Sequence, residues 1–132
     1  GYIANCGRHR ADVMFPAGTL IDRGVVVAGG SDAPVTDHRP LLGISQAMTR
    51  TTQDGDVCGL DHAVGLDTAI RMHTINGAYA SFEEHLKGSL EPGKLGDLAL
   101  LGDDLRDVDP QNVRDVRVER TYVNGELVFQ GR

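Results

Sequence analysis

The sequence predicts an α/β chain whose first half is the end of a larger sheet or barrel. The valine-rich run at 25–28 is continuous, as expected of a strand that is covered on both faces in a parallel sheet. The runs at 97–101 and 116–129 instead predict a short antiparallel meander, with a tight turn at Asn124-Gly125. A parallel strand needs parallel neighbours joined by helical crossovers, and the sequence supplies no second one. We therefore expect an incomplete fold.

Two helices are predicted around the valine run. The first is short, at 17–23, and leads directly into the run. A polar loop at 31–39 follows the run, and Pro40 then suits the first position of a helix that should end near Arg50. The segment at 51–65 is rich in aspartate and glycine and is predicted to be a loop.

The second half begins with a third helix. Asp67 predicts its N-cap, His73 lies on its apolar stripe, and Asn76-Gly77 is expected to interrupt it. The segment at 91–94 has the proline and glycine of a type II turn, which leads into the meander. Between the helix and this turn runs a second apolar stripe that we assign to the core: Tyr79, Phe82 and Leu86.

Composition excludes several classes of protein. The 132 residues carry a net charge of −6, which disfavours binding to nucleic acids and to anionic membranes. No apolar run approaches the ~20 residues that a membrane-spanning helix needs. Cys6 and Cys58 form no CxxC motif, which excludes a zinc knuckle and indicates two reduced thiols in a cytoplasmic protein.

One aspartate stands out in the polar loop. Asp32 follows the valine run and Gly29-Gly30, which would place its carboxylate at the carboxyl end of a strand, where α/β folds bind ligands. The alternative is that Asp32 only organises an Asx turn before Pro34. Ser31 is not a good nucleophile, because a nucleophile elbow would require glycine in place of Ala33. The residues alone leave both interpretations of Asp32 open.

The histidines give a weaker signal. They form neither HxH nor HExxH, so each of them alone is interpreted as a surface or packing residue. His38 is the most interesting, because it shares the loop of Asp32.

Several motifs closely resemble the C-terminal portion of metal-dependent amidohydrolases, and most of all the subgroup that includes N-substituted formamide deformylases. The similarity extends from about Arg8 to Phe129, and its most specific part lies at 88–98. The matching motifs are, in chain order, GSDAP at 30–34, PLLGI at 40–44, TINGAYA at 74–80, GSLEPGKLGDL at 88–98 and VNGELV at 123–128.

The resemblance implies the last βα units of a (β/α)₈ barrel at 1–87 and part of a small β-sandwich at 88–132. The run at 25–28 would be the eighth barrel strand. Asp32 would contact a divalent metal, with zinc expected, accept a proton from the metal-bound water and deliver it to the leaving amine. Ser31 and His38 would lie in a possible substrate loop.

Two functional hypotheses follow. The first is a part of a metal-dependent hydrolase that acts on C–N bonds of small-molecule amides. The family's histidine ligands would precede residue 1, so we expect the chain alone to bind no metal and to be inactive, since a catalytic zinc needs three protein ligands. The alternative is a non-catalytic remnant that serves as an oligomerising or binding module. In both cases the unpaired apolar strand predicts a homo-oligomer.

Overall fold

The computed structural model describes residues 1–131, apart from the side chain of Tyr2. Within these residues it has six short α-helices, two 3₁₀ turns and one antiparallel sheet. The helices are α1 (Tyr2–Cys6), α2 (Arg8–Asp12), α3 (Ala17–Asp22), α4 (Pro40–Thr49), α5 (Leu66–Met72) and α6 (Ile75–Ala80). The strands are β1 (Leu98–Leu101), β2 (Val118–Val123) and β3 (Glu126–Gln130), and the 3₁₀ turns are Leu60–His62 and Val113–Asp115.

The predicted meander is confirmed. The three strands pair in the order β1-β2-β3, with Leu98 opposite Tyr122 and Val123 opposite Glu126. Asn124 and Gly125 have φ values of 52° and 79°, as the tight hairpin turn between β2 and β3 requires. The turn at 91–94 is confirmed too, with a hydrogen bond from the Lys94 amide to the Glu91 carbonyl and φ of 93° at Gly93.

A small core joins α4 and α5 to the segment between β1 and β2. Its buried members are Ile44, Ala69, Leu105 and Val113. Beside them the buried Ser45 hydroxyl donates a hydrogen bond of 2.7 Å to the carbonyl of Pro110. Residues from before and after position 88 thus share one core, and the predicted boundary at 87/88 stays a prediction.

The run at 25–28 is not a hydrogen-bonded strand, and this prediction was wrong. The segment is extended, but no described strand pairs with it, and a strand is defined by the backbone bonds to its neighbours. Val25 and Val26 are about half exposed rather than buried. The assignment of this run to an eighth barrel strand therefore stays a prediction from the resemblance.

The helical region at 66–88 differs from the prediction in three ways. Gly65, not Asp67, is the N-cap of α5, and Asp67 lies in its first turn. The chain breaks at His73 and Thr74, whereas Asn76 and its glycine neighbour lie inside α6. Asn76 does not break the helix because its amide bonds to a distant carbonyl instead of to its own backbone.

The second apolar stripe is not core, because the helix ends before it is complete. α6 stops at Ala80, and Phe82 has a left-handed φ of 60°, so the residues beyond Ala80 leave the helical spacing. Phe82 is 83% exposed, and Tyr79 and Leu86 are about half exposed.

None of the described helices has the length and hydrophobicity of a membrane-spanning segment.

We predict that the chain on its own self-associates. Val25, Val26 and the apolar residues of β3 expose hydrophobic area, and covering it removes that area from water. Light scattering at about 100 μM should return a mass above that of one chain, in low and in high salt alike, since salt screens charges and does not weaken apolar burial. A monomeric mass with a single cooperative thermal transition would contradict the prediction.

Candidate active site around Asp32

The segment that leads to Asp32 is fastened to the junction between α5 and α6. The side-chain amide of Asn76 donates a hydrogen bond of 2.8 Å to the Val27 carbonyl. The Gly29 amide donates another of 2.8 Å to the carbonyl of Met72, which is buried. These two bonds replace the ladder of a strand, because they satisfy alternate backbone groups of an extended segment.

The imidazole of His73 lies against two glycines. A Cβ atom on Gly29 would lie 2.6 Å from Nε2 of His73, and a Cβ on Gly43 would lie 2.7 Å from Cε1. Real Cβ atoms do not approach other atoms this closely, so both positions accept only glycine while the ring stays in place. The tip of the ring thus touches both the segment before Asp32 and the first half of α4.

The turn at 31–36 does not use the carboxylate of Asp32. The Ser31 hydroxyl accepts a hydrogen bond of 3.3 Å from the Ala33 amide, and the Asp32 carbonyl accepts one of 2.9 Å from the Val35 amide. The Thr36 hydroxyl donates to the Ser31 carbonyl. Among the described residues no group hydrogen-bonds the Asp32 carboxylate, which is exposed on a residue with φ of 57°. The Asx-turn interpretation is therefore not supported by the geometry.

His38 is not brought together with Asp32. Its side chain is 85% exposed, and its Nδ1 lies 3.8 Å from a carboxylate oxygen of Asp37. Asp37 in turn accepts hydrogen bonds from the Arg39 backbone amide and guanidinium, at 3.0 and 2.8 Å, and these bonds hold the pKa of Asp37 below its usual value. His38 therefore has a surface environment.

The donors for a metal ion are incomplete. In the part of the chain that the structure describes, no three side chains of histidine, cysteine, aspartate or glutamate converge on a common point. Asp32 offers a single carboxylate, whereas a catalytic zinc needs three protein ligands. The described residues do not by themselves fit a metal site.

The comparisons with known proteins agree with the motifs. The model of the amidohydrolase family matches residues 2–129. The chain belongs to the amidohydrolase family. Its fold is also similar to the crystal structure of an amidohydrolase from Thermotoga maritima MSB8, with a TM-score of 0.63 and 23% identity over 85% of this chain and 25% of that one.

Three relatives are similar to this amidohydrolase-family chain in sequence. The N-substituted formamide deformylase of Arthrobacter pascens is 38% identical over 89% of this chain and 22% of its own length. The Bacillus subtilis (strain 168) protein named as amidohydrolase YtcJ is 30% identical over 97% of this chain and 25% of its own. The 5-methylthioadenosine/S-adenosylhomocysteine deaminase of Teredinibacter turnerae is 33% identical over 99% of this chain and 32% of its own. The chain spans about a quarter of the length of these relatives.

The sequence singled out Asp32 as a candidate, but it did not indicate the two residues that contact the segment before it, Asn76 and His73. Asn76 was interpreted as a helix breaker and His73 as a surface or packing residue, because their partners lie thirty or more positions away along the chain. The signal that could have indicated His73 is the pair of glycines, Gly29 and Gly43, on either side of the Asp32 loop.

We predict that the chain binds zinc no more tightly than a nonspecific protein surface does. The reason is that Asp32 alone supplies one donor where three are required. Equilibrium dialysis is the measurement. One stoichiometric zinc bound with sub-micromolar affinity would contradict the prediction, and His38→Ala would then be the first variant to test for a ligand.

We also predict that proton uptake by His73 destabilises the fold. Burial lowers the pKa of His73 below its ordinary value of 6.5, so the unfolded chain takes up this proton more readily than the folded chain. The contribution of the neutral His73 ring to the free energy of unfolding is fully present above its ordinary pKa. It is lost as the pH falls through the lower pKa that His73 has in the folded chain. Between about pH 7.5 and about pH 5, the wild type should lose more free energy of unfolding than His73→Gln.

The matched control for this experiment is His38→Gln, which makes the same substitution at an exposed position. It should keep the wild-type dependence of stability on pH. Equal dependences for His73→Gln and the wild type in denaturant titrations would show that His73 does not titrate in this way.

Proposed function

We propose that this chain carries the proton-transferring carboxylate, Asp32, of a hydrolase that acts on C–N bonds of small-molecule amides. Membership of the amidohydrolase family supports the reaction class. The choice of non-peptide amides rests on the similarity to a relative named N-substituted formamide deformylase.

The observation that carries the proposal is the free carboxylate of Asp32. The hydrogen bonds of the turn are made by the Ser31 hydroxyl and by backbone groups. The Asp32 carboxylate can therefore accept a proton without breaking a hydrogen bond of the turn. It lies on a segment that is fixed at Val27 and Gly29, and a fixed base is an effective one because its position is set before the substrate arrives.

The proposed step is general acid–base catalysis of hydrolysis. As the oxygen of a water molecule bonds to the amide carbonyl carbon, a carboxylate oxygen of Asp32 accepts the proton that the water loses. The same carboxyl group then gives this proton to the amide nitrogen, and the C–N bond breaks to release the amine and the acid. Asp32 ends the cycle as a carboxylate, so protons and electrons balance.

The family implies a divalent metal, with zinc expected, and metal dependence is part of the proposal for the complete protein only. The described residues do not fit such an ion by themselves, so the step above is derived from Asp32 alone.

A second candidate function is a non-catalytic binding or oligomerising module. It is favoured by the exposed apolar residues of 25–28 and β3 and by the lack of a converging donor set among the described residues. Amide hydrolysis by the complete protein that contains these residues separates the two candidates, since only the first one predicts turnover.

We predict that Asp32→Asn lowers kcat for amide hydrolysis by the complete protein by roughly 10²–10⁴-fold, the range for a general acid–base group. The amide keeps the size of the carboxylate but cannot carry the proton, so KM should change little. Steady-state kinetics on an N-substituted formamide is the measurement.

Asp37→Asn is the matched control, because Asp37 lies in the same loop but is engaged with Arg39. It should reduce kcat far less than Asp32→Asn does. An undiminished kcat for Asp32→Asn, or an equal loss in both variants, would contradict the assignment of Asp32.

A further inference from the structure

The imidazole of His73 lies where three segments of the site region meet. Its Nε2 and Cε1 atoms face Gly29, on the segment before Asp32, and Gly43, in α4. His73 itself is the first residue after α5. A displacement of the ring would therefore be passed directly to the backbone three residues before Asp32.

We infer that His73 is a positioning residue for Asp32: its ring, lodged between Gly29 and Gly43, sets the distance between α4 and the segment that ends in Asp32. This inference rests on the proposed role of Asp32. It adds a residue that touches no reacting atom and acts only through the backbone at Gly29.

The contact is a wedge and not a hydrogen bond. Among the described residues, the ring of His73 takes part in no hydrogen bond or ion pair, and its tip faces the two glycines. The tip of the ring faces both glycine positions, since a Cβ built on either glycine would lie 2.6–2.8 Å from Nε2 and Cε1. Shape therefore determines the spacing, and a rigid planar ring holds a spacing better than a flexible side chain of similar length.

Two hydrogen bonds hold the segment before Asp32 against the ring of His73. Directly beside it, the Gly29 amide bonds to the Met72 carbonyl, and Asn76 bonds to Val27, so the segment is pulled toward the α5–α6 junction. The ring of His73 limits that approach. The two hydrogen bonds hold the segment against the α5–α6 junction, and the ring of His73 prevents a closer approach. Together they restrict the position of the segment.

Burial lowers the pKa of His73, which is consistent with a neutral ring in this contact. The wedge does not depend on that titration, because the glycine contacts are made by ring atoms in either protonation state.

The test uses the complete protein that contains these residues and measures kcat and KM for amide hydrolysis. Gly29→Ala forces a Cβ into the ring and should lower kcat by about 10–100-fold, with a smaller change in KM, since a displaced catalytic group costs rate more than binding. His73→Ala removes the ring. In the double variant the new methyl group has room, so kcat should rise above that of Gly29→Ala.

Because Gly29 and His73 touch, suppression shows that the loss in Gly29→Ala comes from this collision. A merely structural loss would lower the stability of the fold and leave the kcat of the folded protein unchanged, so the positioning role predicts that loss and suppression appear in kcat. Gly43→Ala makes the same collision from α4, should be suppressed by His73→Ala in the same way, and takes the place of Gly29→Ala if that variant does not fold. Gly77→Ala is the matched control: it lies in α6 with open space around its Cβ position, and its kcat should equal that of the wild type.

A second readout does not depend on activity. In the complete protein that contains these residues, His73→Ala should shift the backbone amide resonances of Ser31 and Asp32, whereas Gly77→Ala should leave them unchanged. Unshifted resonances in His73→Ala would overturn the inference.

The outcomes separate the inference from the proposed function. If Asp32→Asn keeps full kcat, the proposed function fails, and the positioning role fails with it. If Asp32→Asn lowers kcat but the double variant is no faster than Gly29→Ala, only the positioning role of His73 is overturned.

Discussion

The site depends on how an extended segment without strand partners is held in place. An isolated stretch of backbone leaves its amides and carbonyls to water and is free to move. Here the side-chain amide of Asn76 donates a hydrogen bond to the Val27 carbonyl, and the Gly29 backbone amide donates one to the Met72 carbonyl. Two hydrogen bonds at alternate positions, with the ring of His73 against Gly29, fix the backbone that leads to Asp32.

The hydrophobic core is connected to this segment through α4. α4 carries both Gly43, which touches the ring of His73, and Ile44, which packs with Ala69 of α5. Val113 completes the same cluster from the segment between β1 and β2. The position of α4 is therefore set by the core on one side and limits the ring of His73 on the other. A loss of packing at Val113 would reach the site through α4, without any direct contact with Asp32.

The sequence predicted best what short-range signals decide. The hairpin at Asn124-Gly125 and the start of α4 at Pro40 depend on backbone preferences of a few adjacent residues, and both predictions are confirmed. Asp32 was singled out because it follows a valine run and two glycines, but these residues left its role open. The expected role came from the resemblance to the amidohydrolases and stays a prediction. The strand at 25–28 was wrong because a strand depends on partners far along the chain. Asn76 was misinterpreted for the same reason: its amide acts on Val27, and no local pattern indicates that.

Asp32 has a backbone conformation that residues other than glycine rarely adopt. A left-handed φ of 57° costs an ordinary L-residue about 1 kcal/mol relative to glycine. Aspartate often offsets this cost by bonding its carboxylate to nearby backbone, but in this turn the Ser31 hydroxyl and the backbone make the bonds instead. Glycine at this position would therefore give a turn at least as stable. What aspartate adds at this point of the chain is an exposed carboxylate, which supports the proposed role of Asp32 in proton transfer.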